Sequence, residues 1–261
     1  YGTWIIREIE SPKGYVLSEE EIAVTIGKVD EVVEIELVNY FIKGNIALTK
    51  VDEDYPDNKL SGAVFEVYSD TNGDGKLDKD DTLLGEMKEL DGGVYQMSEL
   101  RFGKYLVKET KAPTGFVLDE NVYSVSVEEN GKTYTVENKA GVGFINAAQK
   151  GSLKIVKTSS DGKVEGFSFR VTGVDYDQTF KTDKNGEIVI EGLRIGDYTV
   201  SEVSNKASAG YILPADKQAT VKVDATAIVQ MHNEFRDTPK TGDDFNLGLW
   251  VSLAALSVVC L

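Results

Sequence analysis

The sequence predicts an all-β chain: tandem small antiparallel β-sandwiches followed by a C-terminal transmembrane helix. Three observations lead there. Segments such as Ala63-Val-Phe-Glu-Val-Tyr68, Val122-Tyr-Ser-Val-Ser-Val127 and Gly166-Phe-Ser-Phe-Arg-Val171 alternate apolar and polar residues with period two, the mark of strands with one buried face. The same landmarks recur 107 residues apart, Lys50 with Lys157 (157 − 50) and Asn39 with Asn146 (146 − 39), which marks a repeated module. The last stretch, Asn246 to Leu261 (NLGLWVSLAALSVVCL), carries no charge. Composition narrows the chemistry further. With 28 Lys+Arg against 44 Asp+Glu the net charge is −16, so the basic face that nucleic-acid binding needs is missing. One His and one Cys leave little for histidine catalysis, thiolate zinc sites or disulfides.

Taken in order, residues 1–43 read as the C-terminal part of a truncated module. Trp4-Ile-Ile-Arg-Glu8 runs on to Pro12-Lys-Gly-Tyr15 and closes at Val38-Asn39. Residues 44–150 form a complete module. It opens with Gly44-Asn-Ile-Ala-Leu-Thr-Lys50, continues through Leu100-Arg-Phe-Gly-Lys-Tyr-Leu-Val-Lys-Glu109 and ends at Ile145-Asn146. Residues 151–237 repeat it, with Gly151-Ser-Leu-Lys-Ile-Val-Lys157, Leu193-Arg-Ile-Gly-Asp-Tyr-Thr-Val-Ser-Glu202 and His232-Asn233. Asn130-Gly131 and Asn185-Gly186 are hairpin-turn dipeptides. Many short strands punctuated by turns read as an antiparallel sandwich.

Each module carries three polar residues in the apolar phase of a strand. Lys50 follows Ile46 and Leu48, Glu109 follows Tyr105 and Val107, and Asn146 follows Val142 and Phe144. Lys157, Glu202 and Asn233 repeat the arrangement, and Glu8 and Asn39 supply two of its members in the first copy. Residues i, i+2 and i+4 of a strand share a face, so a Lys, a Glu and an Asn are aimed at each core. The plain alternative is that they cap strand ends, or form a buried ion pair beside an amide. Burying charge is costly unless it is paired or neutralised, and recurrence of the trio in the same order argues for chemistry. A buried Lys loses its proton more readily and becomes a nucleophile, while a buried Glu keeps its proton and can lend it to the Asn amide. Folding holds the groups at high effective molarity. Attack on the Asn side-chain carbonyl would expel ammonia and leave a Lys–Asn isopeptide bond, in one self-catalysed turnover.

Tyr105-Leu-Val-Lys-Glu109-Thr-Lys-Ala-Pro-Thr-Gly-Phe116 resembles the E-box of pilin and collagen-adhesin B-type repeats, the prealbumin-like (reverse-Ig-like, SpaA-type) domains of Gram-positive surface proteins. The resemblance implies the isopeptide chemistry. Lys50, Glu109 and Asn146 match its three positions, as do Lys157, Glu202 and Asn233. The last copy departs from it: Glu202-Val-Ser-Asn-Lys-Ala-Ser-Ala-Gly-Tyr211 is two residues longer and lacks the Pro.

Lys50 to Glu109 spans 59 residues (109 − 50) against 45 for Lys157 to Glu202 (202 − 157). Much of the excess is one acidic stretch from Asp70 to Asp81. Counting Asp70 as the first position, oxygen ligands fall on Asp70, Asn72, Asp74, Asp78 and Asp81, with Gly75 sixth and the Lys76 carbonyl seventh, the order of a calcium loop. Asp81 stands where a Glu is usual. It resembles loops of the dockerin type. The alternative is an acidic hairpin tip without metal.

In the tail, Asp237-Thr-Pro-Lys-Thr241-Gly242 resembles a sortase signal of the LPXTG type, Leu-Pro-any-Thr-Gly, with Thr238 in the Leu position. The resemblance implies cleavage between Thr241 and Gly242 and transfer of Thr241 to a cell-wall amine. The apolar segment that follows would reach about 24 Å as a helix against about 30 Å of hydrocarbon, and reads as a span cut short. A buried core helix is the alternative.

The expectation is therefore a structural stalk, not an enzyme beyond its own crosslinking. It would be sorted by sortase, joined covalently to peptidoglycan at a Gram-positive surface, and in contact with membrane only through the C-terminal segment before sorting. Calcium is the expected cofactor. A host or matrix protein would be the partner of a region upstream of Tyr1. A sortase-polymerised pilin subunit and the stalk of a secreted enzyme are the competing readings; for the pilin, Tyr55-Pro-Asp57 has Asp where a linking Lys is wanted.

Overall fold

The computed structural model describes residues 1–236. The sorting residues Thr241 and Gly242 and the apolar span lie outside them. The described residues form strands and no helix, and they fall into two compact units, Tyr1–Lys150 and the remainder from Gly151.

The first unit begins with an antiparallel pair, β1 (Gly2–Arg7) and β2 (Glu21–Ile26). Every residue of β1 is exposed, Trp4 and Ile6 included. The stretch 28–40, which carries Asn39, forms no strand, contrary to the period-two reading of Ile35-Glu-Leu-Val-Asn39. In the complete modules the strand bearing the Asn is laddered to the strand bearing the Lys, and here no such neighbour lies beside it among the described residues.

Next come β3 (Lys43–Asp52), β4 (Val64–Ser69), β5 (Thr82–Glu86), β6 (Lys88–Glu89), β7 (Val94–Arg101), β8 (Gly103–Lys111), β9 (Val122–Val127), β10 (Thr133–Thr135) and β11 (Phe144–Asn146). One sheet runs β10-β3-β7-β6, with β11 also on β3; the other runs β5-β4-β8-β9. Side chains of the two sheets meet in one core that includes Ile46, Leu48, Phe65, Val67, Tyr95, Val107 and Phe144.

The second unit has β12 (Lys150–Ser159), β13 (Ser168–Gly173), β14 (Tyr176–Lys181), β15 (Glu187–Arg194), β16 (Gly196–Val203), β17 (Tyr211–Ile212), β18 (Lys217–Val221) and β19 (Thr226–Phe235). Its sheets are β15-β12-β19-β17 and β14-β13-β16-β18. Leu153, Ile155, Phe169, Val171, Val200 and Met231 fill its core.

Two features differ from the sequence expectation. The sandwiches are not wholly antiparallel: β10 and β11 run parallel to β3, and β19 runs parallel to β12. The chain visits the opposite sheet before its last strand returns beside the first, and a long crossover, unlike a hairpin, permits parallel pairing. Asn130-Gly131 and Asn185-Gly186 also close no hairpin. The first lies between β9 and β10 and the second between β14 and β15, members of different sheets in each case. Gly131 and Gly186 have φ of 76° and 79°, which suits any sharp reversal.

The repeated landmarks have physical causes. On β3 and β12 the residues Gly44, Ile46, Leu48, Lys50 and Gly151, Leu153, Ile155, Lys157 are buried in alternation. A Cβ on Gly44 would stand 2.8 Å from the Lys132 carbonyl oxygen, and one on Gly151 2.1 Å from that of Lys222, so only glycine fits where each first strand enters its sheet. In the Leu-Arg-x-Gly-x-Tyr motif the tyrosine hydroxyl donates back across the turn, Tyr105 to the Arg101 carbonyl at 2.6 Å and Tyr198 to the Arg194 carbonyl at 2.9 Å. This satisfies a buried polar tip.

Candidate crosslinking site

The parallel ladders place Lys and Asn diagonally on one face. Lys50 is in register with Phe144, and Asn146 with Asp52. Lys157 is in register with Met231, and Asn233 with Ser159. In both modules the Asn thus lies two residues beyond the register partner of the Lys, and the pleat turns both side chains inward. The Glu enters from the other sheet, on β8 or β16.

In the first module Lys50 and Glu109 are fully buried and Asn146 is 3% exposed. Lys50 Nζ donates to Asn146 Oδ1 and to the Phe144 carbonyl at 3.2 Å, and lies 3.5 Å from Glu109 Oε1. Asn146 Nδ2 donates to both Glu109 oxygens, at 3.0 and 2.9 Å. The amide therefore presents its oxygen edge to the amine and its nitrogen to the carboxyl group. The amine sits 4.7 Å from the centre of the Phe144 ring, which packs edge-on against Phe65 and Tyr123. Burial in this aromatic setting pushes the Lys50 amine from its ordinary 10.5 down to about 8, against the Glu109 carboxylate that holds it up.

The second module brings the same residues to the same places with one difference. Asn233 Nδ2 donates to Glu202 Oε1 at 2.8 Å, but Lys157 Nζ donates to the carbonyl of Thr158. Glu202 Oε2 and Asn233 Oδ1 are buried and bonded to nothing among the described residues. The amine stays inside the core, 4.2 Å from the centre of the Phe167 ring, so a side-chain rotation within the pocket separates it from the amide. Burial lowers the Lys157 amine and raises the Glu202 carboxyl, each opposed by the other's charge.

In residues 1–43 the Glu–Asn half of the site is present. Asn39 Nδ2 donates to Glu8 at 2.9 and 2.7 Å and to the Val16 carbonyl at 3.2 Å. No lysine amine bonds to either side chain among the described residues.

The sequence reading missed the groups that fasten the first trio. Asp119 N–H donates to Glu109 Oε2 at 2.8 Å. The Asp119 carboxylate accepts from Tyr123 at 2.7 Å and from Asn138 at 2.8 Å, and these bonds hold it below the usual carboxylate range. Asn138 also donates to the Ile145 carbonyl at 2.9 Å and accepts the Ile145 N–H at 2.6 Å, standing in for a strand partner next to Asn146. The signal was the position ten residues after Glu8 and Glu109: Ser18 N–H donates to Glu8 at 2.8 Å just as Asp119 does to Glu109.

The acidic loop joins β4 to β5. Asp70 is buried, and its carboxylate accepts N–H groups of Gly73 at 2.7 Å and Gly75 at 3.1 Å. Asn72 accepts the Asp74 N–H and donates to Asp78, Asp74 accepts the Lys76 N–H, and Asp81 accepts from Thr71 and Asp78. The oxygens expected as ligands thus line one coiled loop, but they are turned onto backbone donors. Among the described residues no three His, Cys, Asp or Glu side chains converge as a metal site. In the second module the same hairpin turns through Val174 and Asp175 alone.

The sequence model of the SpaA prealbumin-like fold domain matches residues 44–140 and 151–235. The Bacillus anthracis TIE protein is similar in structure, with a TM-score of 0.68 and 25% identity over 90% of this chain and 42% of that one. GBS52, the minor pilin of Streptococcus agalactiae, aligns at 17% identity over 77% of this chain and 99% of its own, with a TM-score of 0.34. The pilus adhesin SpaC from Lactobacillus rhamnosus GG aligns at 14% over 76% and 32%, with a TM-score of 0.46. No curated protein matches in sequence. The chain spans less than half of the TIE protein's length.

Proposed function

The chain belongs to the SpaA family of prealbumin-like domains, which build Gram-positive pilins and surface adhesins, and from that premise we propose that it is a stalk segment whose two complete modules are each locked by a self-made Lys–Asn isopeptide bond. The observation that carries this reading is the buried contact of Lys50, Glu109 and Asn146. The proton tally closes within the trio. One proton shared by Lys50 and Glu109 moves to the carboxyl group, which leaves a neutral amine. Nζ bonds to the Asn146 side-chain carbon, the bond from that carbon to Nδ2 breaks, and Glu109 relays the surplus amine proton to Nδ2, which leaves as ammonia. The new amide takes the place of a charged amine in an apolar core. Intact mass tests the reading, with one ammonia lost for each bond formed.

The stalk would be held by its tail. Sortase would cut between Thr241 and Gly242 and join Thr241 to peptidoglycan. The family match and the Thr-Pro-Lys-Thr-Gly run support this. Expressed in a sortase-bearing Gram-positive host with its full C-terminal signal, Thr241→Ala should leave the protein in the membrane fraction. A mutant that still co-purifies with peptidoglycan after boiling in detergent would refute anchoring at this residue.

Calcium would be held by Asp70, Asn72, Asp74, Asp78, Asp81 and the Lys76 carbonyl, once the carboxylates exchange backbone donors for the ion. Titration should raise the Tm of the first unit by about 5–10 °C at a hundredfold excess over Kd and leave the second unit unchanged. Asp70→Ala with Asp74→Ala should abolish the shift. Neither heat nor a shift at millimolar calcium would mean that the loop is only an acidic turn.

A further inference from the structure

The two complete modules differ at a glutamate oxygen that does not face the amine. Glu109 Oε2 accepts the Asp119 N–H, and Glu8 Oε2 accepts the Ser18 N–H; Glu202 Oε2 accepts nothing among the described residues, although Glu202 is only 9% exposed. Backbone pairing identifies the residue that stands where the donor should be. Tyr15 bridges Phe41, Phe116 bridges Ala148 and Tyr211 pairs with Phe235, in each case two residues past the Asn of its copy. Three residues on from these aromatics lie Ser18, Asp119 and Pro214, in the aligned runs Tyr-Val-Leu-Ser, Phe-Val-Leu-Asp and Tyr-Ile-Leu-Pro. Proline has no backbone N–H. The two extra residues between Glu202 and Tyr211 are absorbed before the pairing begins, where Asn205 donates to the Gly166 carbonyl and to Ser168 and accepts N–H groups of Ala207 and Ser208. The register at Pro214 is therefore kept.

We propose that Pro214 is a positioning residue of the second crosslinking site, which keeps Glu202 in its proton-carrying form by withholding the N–H that the other two copies give to their glutamates. A hydrogen bond to a carboxylate stabilises the ionised form; Glu202 accepts one, from Asn233, where Glu109 accepts two from Asn146 and a third from the Asp119 N–H. The groups facing it are the Asn233 amide from β19, which donates to Oε1, and the Lys157 amine from β12, with Asp161 acting on that amine in turn; Phe169 lies beside it on β13. The carboxyl group of the second module thus holds more readily the proton that the leaving amide needs. In the first module, the Asp119 N–H bonds to Glu109, and the amine is aimed at the amide instead. The two sites reach the same product from different starting arrangements.

This inference rests on the trio being a crosslinking centre, but its test does not need the bond to form. In the full chain carrying Lys157→Met, which cannot crosslink there, the Glu202 side chain is titrated by carbon NMR. Adding Pro214→Ala or Pro214→Ser should lower its midpoint by about one pH unit or more, the shift that one charge-assisted hydrogen bond supports. In the chain with Lys157 intact, the same variants should shift the acid limb of crosslinking at the second site to lower pH. An unchanged or raised Glu202 midpoint in both folded variants would overturn the proposal. So would loss of the second unit's fold in both, which would make Pro214 a purely structural residue. Failure of the isopeptide reading would show separately, as an unmodified mass in the wild-type chain.

Discussion

Glu109→Gln should leave the first module folded but uncrosslinked, retaining the ammonia that the wild type loses, and far less stable. Glutamine keeps the size of the side chain and an oxygen for Asn146 Nδ2 but cannot carry the proton. The bond between Lys50 and Asn146 closes a loop of 97 residues, counting both ends, which in the chain-entropy treatment contributes about 4.7 kcal/mol. At roughly 2–4 °C per kcal/mol for a unit of this size, the Tm of the first unit should fall by about 10–20 °C. The variant also leaves a buried amine without its carboxylate, which adds to the loss. The second unit, with its own trio, should melt where it did before. A variant that regains the ammonia yet melts within a few degrees of wild type would show that the crosslink does not govern stability.

Pulled by its ends, the wild-type chain should show no extension step from the first module's interior. The force enters at β3 and leaves at β11, the parallel strands that carry Lys50 and Asn146. A covalent bond between them takes the load past everything in between. In Glu109→Gln the 96 residues from Lys50 to Asn146 (146 − 50) become free to extend, releasing roughly 320–350 Å at 3.3–3.6 Å per residue. Single-molecule pulling should record that step in the variant and lack it in the wild type. A step of that length in wild-type protein would mean that the strands separate under load. A stalk resists proteases and shear by such a barrier more than by equilibrium stability.

Much of the site was legible because charge stood in the wrong phase. Lys50, Glu109 and Asn146 share a face with Ile46 and Leu48, Tyr105 and Val107, and Phe144, and the structure buries all three together. The repeat supplied what a single module could not, since Lys157, Glu202 and Asn233 occur in the same order. Period two cannot tell a parallel ladder from an antiparallel one, and so hid the parallel pairing that sets the Lys–Asn diagonal. It equally misread residues 35–39, because a strand needs a neighbour as well as a pattern. Asp119 and Asn138 were missed because they act through a backbone N–H and a side-chain bridge, and neither leaves a periodic trace. The position three residues after the paired aromatic was available by aligning the three copies, and it separates Ser18 and Asp119 from Pro214.

The most direct test is the intact mass of the folded wild-type chain, followed by digestion. The expected mass is that of the 261-residue sequence less two ammonias, with linked peptides joining Lys50 to Asn146 and Lys157 to Asn233. A folded chain of full mass, giving separate peptides for all four residues, would contradict the account.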